Sequence, residues 1–354
     1  MSLRTQHSVW DGVVGQARAV ARLRASAEAP VHAYLFVGPP GSTKESAARA
    51  FAALLLAGVD DPEQRDARLA LADEHPDVRH IQREGARISA QQIDEIIRNA
   101  ALAPIESDRK VMILDEFHFL EAEGAARLLK SIEEPPASTH FIVVADQVPD
   151  HLVTIASRCV RIDFSPVPAA AIAERLIADG CDPARAHAVS EAAAGNFDRA
   201  QVLVSDEDLA RRRDSFASVP RRLDGTGTRV AALTEEIIGL ADASAAPLSP
   251  IHAAEVAALE ERVAISGERG SGRKSLEDKH KREIRRYRMD ELRSGLGVIA
   301  AAYRDAIVAG TAPRPENLVQ AVHRVHDALE ALERNPNEAL LLQALLLQLP
   351  GLPG

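Results

Sequence analysis

The stretch Tyr34–Ser46, with the sequence YLFVGPPGSTKES, decides the fold of this chain. The apolar run 33–37 predicts a short buried strand, a Gly/Pro turn follows it, and the alanine-rich run 44–56 predicts a helix. A strand, a turn and a helix in this order form the context of a phosphate-binding loop, because backbone N–H groups and the positive end of the helix face the same anion. The predicted phosphate-binding residues are Gly38, Gly41 and Lys44.

The loop departs from the working pattern G-x-x-x-x-G-K-[ST] at two positions. Thr43 replaces the glycine before the lysine, so a β-branched side chain stands where the backbone must pass close to phosphate. Glu45 replaces the Ser or Thr whose hydroxyl should bind Mg²⁺, and it places a carboxylate beside the polyphosphate. Ser46 lies about 100° further round the helix and cannot simply substitute. The sequence therefore predicts a retained scaffold with impaired chemistry.

A second diagnostic stretch, Lys110–Glu116, is an apolar strand that ends in two adjacent carboxylates. Ligands of open α/β sheets bind beyond the carboxyl ends of the strands. Asp115 would hold the water shell of a metal ion and Glu116 would polarise an attacking water. Apolar strands that end in Asp-Glu also occur by chance at solvated strand ends. Here the position downstream of a phosphate loop favours a Walker B element.

Composition limits the classes of protein to consider. The 354 residues suffice for two or three domains, and 46% of them are hydrophobic but only 3% aromatic, so the cores are aliphatic. The formal net charge of −10 implies that any contact with DNA is local or shared with partners. Two cysteines, Cys159 and Cys181, indicate neither a disulfide framework nor a zinc site of their own. No secretion signal or membrane span is recognisable, so we expect a cytoplasmic location without membrane contact.

Strand and helix patterns alternate over residues 30–165, which predicts a doubly wound parallel sheet. The strand patterns stop after Pro166 and Pro168. A helical unit follows, then a linker at 223–228, then helices to the end with interruptions at 243–250 and 267–273. The predicted fold class is thus α/β followed by all-α. The predicted domains are an α/β domain over 1–166, a helical domain over 167–222 and a C-terminal helical domain over 229–354.

Six motifs together resemble the AAA+ clamp-loader subunits and, within that family, the delta-prime branch of bacterial DNA polymerase III. The specific pair is the run LLKSIEEPP together with the triplet SRC. The resemblance covers residues 9–205 firmly and the remainder loosely. The motifs that carry it are Val14–Gln16, His32–Gly41, His75–Asp77, Leu128–Pro136, Ser157–Cys159 and Gly195–Arg199.

The resemblance implies an AAA+ P-loop parallel-sheet domain, a small helical lid domain and a C-terminal helical collar. It implies a place in a heteromeric ring with tau/gamma-type and delta-type subunits, which uses ATP to load a sliding clamp onto primed DNA. Arg158 would be an arginine finger that stabilises charge on the nucleotide of the neighbouring subunit, and Arg199 would be the sensor arginine of the lid. The alternatives are an ordinary surface arginine for Arg158 and a helix salt bridge for Arg199.

Departures from the family pattern bear on cofactors. Besides Thr43 and Glu45, Asp146 stands where ATP-hydrolysing relatives usually carry a neutral residue at the end of the sensor strand. Residues 57–74 lack the cysteines of a zinc module, so no zinc is expected. These departures favour a subunit that does not hydrolyse ATP. Asp115 and Glu116 are retained, and they leave binding of ATP and Mg²⁺ without turnover open.

Several alternatives remain at this point. The chain could instead be an ATP-hydrolysing motor subunit of the tau/gamma type, a P-loop kinase for a small substrate, or a branch-migration or remodelling AAA+ ring protein. The charged segment 274–293 could be a solvated helix face or a contact to the phosphate backbone of DNA. The run 339–347 is apolar nearly all round, which predicts burial in its own bundle or against collar partners.

Overall fold

The computed structural model describes residues 7–83, 87–266, 272–310, 314–332 and 336–353. The chain divides into two compact units, residues 1–200 and 201–354. The three domain boundaries predicted from the sequence are not tested by this division and stay predictions.

The first unit contains a five-stranded sheet in which all strands are parallel and the order is β2-β3-β4-β1-β5. Strand β1 lies between β4 and β5, so that Leu35 is opposite Val143 on one side and Arg161 on the other. The strands are β1 Ala33–Val37, β2 Val78–Ile81, β3 Lys110–Leu114, β4 Thr139–Ala145 and β5 Val160–Asp163.

Helices cover both faces of this sheet, since successive strand residues point to opposite faces and each face needs a cover. Tyr34 and Phe36 pack on one face and Leu35 on the other. The helices that begin in this unit are α1 Ala17–Glu28, α2 Lys44–Ala57, α3 Arg65–Leu71, α4 Ala90–Ala101, α5 Ala122–Glu133, α6 Val153–Ala156, α7 Ala169–Ala178, α8 Pro183–Ala193 and α9 Phe197–Val204. Helix α9 crosses the division between the units.

Helix α2 shows why the alanine-rich run follows the loop. Five of its six alanines are buried, and Phe51 meets Tyr34 of β1 edge to face with ring centroids 4.7 Å apart. Small side chains allow the helix to lie close to the sheet, and Gly58 ends it in the left-handed conformation with φ of 71°. The helix predicted over 44–56 is confirmed. Ser89 is the N-cap of α4, because its hydroxyl accepts from the Gln92 N–H in a capping box.

The second unit consists of helices around an aliphatic core. Leu342, Leu345 and Leu346 of the last helix are buried in that core, while Leu340 and Leu347 are 63% and 59% exposed. The helices are α10 Leu209–Arg222, α11 Gly227–Ala243, α12 Leu248–Ser266, α13 Arg273–Val308, α14 Pro315–Leu332 and α15 Glu338–Leu346.

The parallel sheet with its helices and the helical region that follows confirm the predicted fold class, α/β and then all-α. The interruption predicted at 243–250 is confirmed but shorter, since α12 begins at Leu248. The one at 267–273 falls largely outside the described residues, which resume at Gly272. Within the part of the chain that the structure describes, no helix is both long enough and apolar enough to cross a bilayer.

The motif His75–Asp77 has a structural role at the edge of the sheet. The Asp77 carboxylate is buried before β2 and accepts the backbone N–H groups of Ile105, Glu106 and Ser107 at 2.5, 2.8 and 2.8 Å. Burial by itself raises the pKa of Asp77, but these three donors outweigh it and the net pKa is lowered. The carboxylate thereby holds the loop before β3 against the sheet.

We expect Asp77→Ala to lower the free energy of unfolding by about 2–3 kcal/mol at pH 7, because charge-assisted hydrogen bonds to backbone donors are lost. The pKa of Asp77 is lower in the folded state, so its contribution is complete above the unfolded value of about 3.9 and is lost as pH falls through the folded pKa. Urea unfolding at several pH values measures this. Asp108→Ala, at an exposed position nearby, is the control and should change little. A wild-type advantage that does not shrink between pH 7 and pH 3 would contradict the assignment.

Candidate nucleotide site and arginine surface

The two glycines of the phosphate loop are required by close approaches of other atoms. A Cβ on Gly38 would lie 2.5 Å from the carbonyl oxygen of Phe164, and a Cβ on Gly41 would lie 1.8 Å from Oδ1 of Asn196. Gly41 also has a φ of 68°, which L side chains rarely adopt, and its carbonyl accepts the Phe197 N–H at 2.9 Å. The loop is thus tied to the first turn of α9 through atoms of the chain itself.

Thr43 occupies a backbone position that suits glycine. Its φ and ψ of 62° and 19° are left-handed, a conformation that costs a non-glycine residue about 1–2 kcal/mol. The side chain is 3% exposed, and its hydroxyl donates to the carbonyl of Val14 at 3.4 Å. The loop therefore holds a strained β-branched residue at a position that suits glycine.

Lys44 is 1% exposed, and its ammonium group is surrounded by acceptors from this chain. Its Nζ lies 2.8 Å from Oδ1 of Asp146 and 2.9 Å from Oε1 of Glu45, and it donates to the carbonyl of Pro39 at 3.2 Å. These contacts match the three donors of an ammonium group. Burial by itself lowers the pKa of Lys44, but the two carboxylates outweigh it and the net pKa is raised.

The carboxylate of Asp115 at the end of β3 lies beside the imidazole of His80, with His80 Nε2 3.7 Å from Asp115 Oδ2. His80 Nδ1 lies 3.1 Å from Oδ2 of Asp73. Burial by itself lowers the pKa of His80, but the two aspartates outweigh it and raise the pKa to about 9. Burial raises the pKa of Asp115, yet His80 and the Glu116 N–H reverse this and the net pKa is lowered. An imidazolium thus faces the aspartate expected to hold the water shell of a metal.

Glu116 is held by a bidentate arginine. Nε and Nη2 of Arg83 lie 3.1 and 3.0 Å from the two carboxylate oxygens of Glu116. The Arg83 guanidinium also stacks on the ring of Phe119 at 3.8 Å, and its side chain is only 6% exposed. The carboxylate that would polarise water is therefore already paired.

The structure brings together most of the residues predicted for the nucleotide site. Lys44, the first residue of α2, pairs with Asp146, which directly follows β4. The charges of His80 and Lys44 both lower the pKa of Asp115. His80 and Arg83, which supply positive charge to Asp115 and Glu116, are not indicated by any motif in the sequence. The only available signal was that β2 precedes β3 in the chain and could pair beside it, so its last residues reach the same edge of the sheet.

Arg199 lies on α9 and is 3% exposed. Its backbone N–H is accepted by the side-chain oxygen of Asn196 at 2.9 Å, the same oxygen that lies against Gly41. The predicted sensor arginine is thus on the helix whose first turn contacts the phosphate loop. Its role stays a prediction.

Arg158 follows α6 and precedes β5, and its side chain is 37% exposed. Its Nε donates to Oε1 of Glu133 at the end of α5, while Nη1 donates to the carbonyl of Thr154 at 2.8 Å and to Oγ of Ser157 at 3.2 Å. The residue after it, Cys159, is largely buried, and burial raises the pKa of its thiol to about 12. The arginine side chain is therefore held by hydrogen bonds within its own chain, and part of it remains exposed to solvent.

The charged segment 274–293 lies within α13, and several of its cations are paired with carboxylates of the second unit. The recorded pairs are Lys279–Glu255 at 2.9 Å, Arg293–Asp290 at 3.3 Å, Lys281–Asp278 at 3.8 Å, and Arg288 with both Asp242 and Glu338. This pairing agrees with a charged helix face. A contact between this segment and DNA is untested.

Over the described ranges, no group of three or more His, Cys, Asp or Glu side chains is arranged to hold a metal ion. The expectation of no zinc stays a prediction. The loop retains the glycines that a phosphate-binding backbone needs. However, Lys44, Asp115 and Glu116, which would contact a nucleotide and its metal, already have partners of opposite charge.

A family model described as DNA polymerase III, delta subunit matches residues 15–168. The delta' subunit of DNA polymerase III from Bacillus subtilis is 31% identical over 186 residues, which are 51% of this chain and 56% of that protein. The delta' subunit from Pseudomonas aeruginosa is 30% identical over 193 residues, or 52% and 55% of the two chains. The gamma/tau subunit from Mycobacterium tuberculosis H37Rv is 30% identical over 252 residues, or 67% and 43%.

This chain spans about half the length of the delta' relatives that it matches. The match to the family model covers the parallel sheet, the phosphate loop, the Asp-Glu strand end and Arg158. The region formed by residues 15–168 therefore belongs to the family of DNA polymerase III clamp-loader subunits.

Proposed function

We propose that this chain is a delta-prime-type subunit of the DNA polymerase III clamp loader, which contributes Arg158 to the ATP site of a neighbouring subunit and does not hydrolyse ATP itself. The observation that carries this proposal is the environment of Lys44. The lysine that would bind the outer phosphates is buried between Asp146 and Glu45.

The arrangement of charges opposes catalysis in the chain's own pocket. A triphosphate would have to displace two carboxylates from Lys44 and would then lie beside both of them. Like charges in a poorly solvated site repel strongly. Glu45 also removes the hydroxyl that would bind Mg²⁺. Hydrolysis needs this lysine and this metal together, because phosphoryl transfer is catalysed mainly by positioning and electrostatic stabilisation.

Arg158 is suited to act on a nucleotide bound elsewhere. It is partly exposed, permanently charged and held at the surface of the α/β unit. A finger that serves a neighbour requires head-to-tail packing of subunits, as in a ring. We infer that the partners are tau/gamma-type and delta-type subunits, and that the chain meets the sliding clamp and primed DNA through the complex.

The exposed side of α15 is the part of the second unit that we assign to a collar with partner subunits. Leu340 lies in α15, and Leu347 is its C-cap residue, with helical φ and ψ of −62° and −25°. The two are seven residues apart, which places them on the same side of the helix about two turns apart. Both are more than half exposed while the opposite side of the helix fills the core of the unit. An exposed apolar stripe of this kind is typical of protein interfaces.

The second candidate is an ATP-hydrolysing motor subunit of the tau/gamma type. It is favoured by the longer match to the gamma/tau subunit, 252 residues against 186, and by the retained Asp115 and Glu116. Against it stand the strained Thr43 and the paired Lys44.

Substituting the three departures together tests the pocket. In Thr43→Gly/Glu45→Thr/Asp146→Asn, Lys44 loses both carboxylates, and the free energy of unfolding should fall by about 3–5 kcal/mol because a buried charge is left unpaired. Mg-ATP should raise the melting temperature of this variant and leave that of the wild type unchanged. Adding Lys44→Met should abolish the response. ATP turnover by the purified wild-type chain that Lys44→Ala abolishes would instead establish the motor.

Substituting the finger tests the action on a neighbour. Arg158→Ala should leave folding and assembly intact and slow ATP hydrolysis by the reconstituted complex by about 10³-fold or more, since the charge that the arginine finger supplies in the transition state is lost. Arg161→Ala is the matched control, because Arg161 is an exposed arginine nearby that pairs with Asp163. The steady-state rate in the presence of clamp and primed DNA is the measurement. A complex with Arg158→Ala that retains the full rate would exclude the finger.

Substituting the exposed leucines tests the collar. Leu340→Asp/Leu347→Asp should abolish assembly with partner subunits while changing the stability of the isolated chain by less than about 1 kcal/mol, because both positions are exposed. Val308→Asp, at an 88% exposed position on α13, is the control. Size-exclusion chromatography of the reconstituted mixture gives the answer, and a double variant that assembles normally would rule out this surface.

A further inference from the structure

The motif Leu128–Pro136 contains two adjacent glutamates, Glu133 and Glu134, directly before its final two prolines. Glu133 is the last residue of α5, and its carboxylate accepts a hydrogen bond from Nε of Arg158, 25 residues further along the chain. Its neighbour Glu134 is exposed and has no recorded ion pair among the described residues. Only the first of the two adjacent carboxylates therefore meets the arginine.

Packed helices and strands hold the backbone at both Glu133 and Arg158. Helix α5 packs Leu128 and Ile132 into the core, and Pro135 follows soon after its end, so the direction of Glu133 is set by the helix. Arg158 is flanked by the buried Ile155 of α6 and by β5, which pairs with β1. Glu133 is thus held by a packed helix, and Arg158 lies in a three-residue turn whose two ends are fixed by α6 and β5.

The contacts use one side of the guanidinium. Nε is bound to Glu133, and Nη1 is bound to the Thr154 carbonyl at 2.8 Å and to Ser157 Oγ at 3.2 Å. For Nη2 there is no recorded partner within the described residues. The remaining edge of a planar fork is thus presented outward in one orientation, from a side chain that is 37% exposed.

We propose that Glu133 is a positioning residue, which holds the guanidinium of Arg158 with its Nη2 edge directed at the nucleotide of the neighbouring subunit. This inference rests on the proposed role of Arg158. A free arginine side chain loses rotamer entropy when it is ordered. Glu133 and the Thr154 carbonyl order it beforehand, so less is lost when the ring brings it to the phosphate.

A positioning role predicts a definite pattern of rates. The carboxylate does not touch the substrate, so its removal should lower kcat of the complex and leave KM for ATP unchanged. An exposed ion pair contributes at most about 1 kcal/mol, which corresponds to about a fivefold change. Glutamine keeps an acceptor for Nε in the same place, so it should restore most of the rate that alanine loses.

The experiment uses the full chain in a complex reconstituted with the motor and delta-type subunits of the same organism. ATPase rates with clamp and primed DNA are measured for Glu133→Ala, Glu133→Gln, Glu134→Ala, Arg158→Ala and the double variant Glu133→Ala/Arg158→Ala. We expect kcat to fall about threefold to fivefold in Glu133→Ala and less than twofold in Glu133→Gln. Glu134→Ala should match the wild type. In the Arg158→Ala background, Glu133→Ala should have no further effect.

The outcomes separate this inference from the function it rests on. A wild-type rate for Arg158→Ala would overturn the arginine finger and the positioning role together. A slow Arg158→Ala with an unchanged or faster Glu133→Ala would overturn the positioning role alone. An equal loss from Glu133→Ala in both backgrounds would show that Glu133 acts on stability or assembly, and chromatography of the complexes would confirm it.

Discussion

The ion pairs of Lys44 with Asp146 and Glu45 are the interaction on which the rest of the site depends. A buried ammonium must be compensated, and here the compensation comes from the end of β4 and from the residue after the lysine itself. The same two carboxylates occupy the donors that phosphate would use. Stability of the loop and affinity for a nucleotide therefore compete for one cation.

The other acidic residues of the pocket are also paired with cations of the protein. Asp115 faces the imidazolium of His80, and Glu116 is bound by Arg83 on two oxygens. The acidic residues of a nucleotide site usually act on a metal ion and a water, whereas here protein cations neutralise them. A site whose charges are balanced internally can keep its fold without a ligand.

Much of the fold could be predicted because its signals are local. Apolar strands, the glycine-rich turn and the cap at Ser89 each lie within a few residues of the chain. The partners of the site residues could not be predicted in this way. Arg83 meets Glu116 because β2 pairs beside β3, and Glu133 meets Arg158 because α5 and α6 pack together. Such pairs depend on strand register and helix packing, which a single sequence does not reveal.

The contact between the loop and α9 has a mechanical consequence. The Gly41 carbonyl accepts a hydrogen bond from the Phe197 N–H, and the Asn196 side chain lies where a Cβ on residue 41 would be. Any outward swing of the start of α9 must break this backbone bond and expose both groups to solvent. A movement of the start of α9 is therefore coupled to a movement of the phosphate loop. A displacement of either element alone is disfavoured, because it would break the hydrogen bond between them.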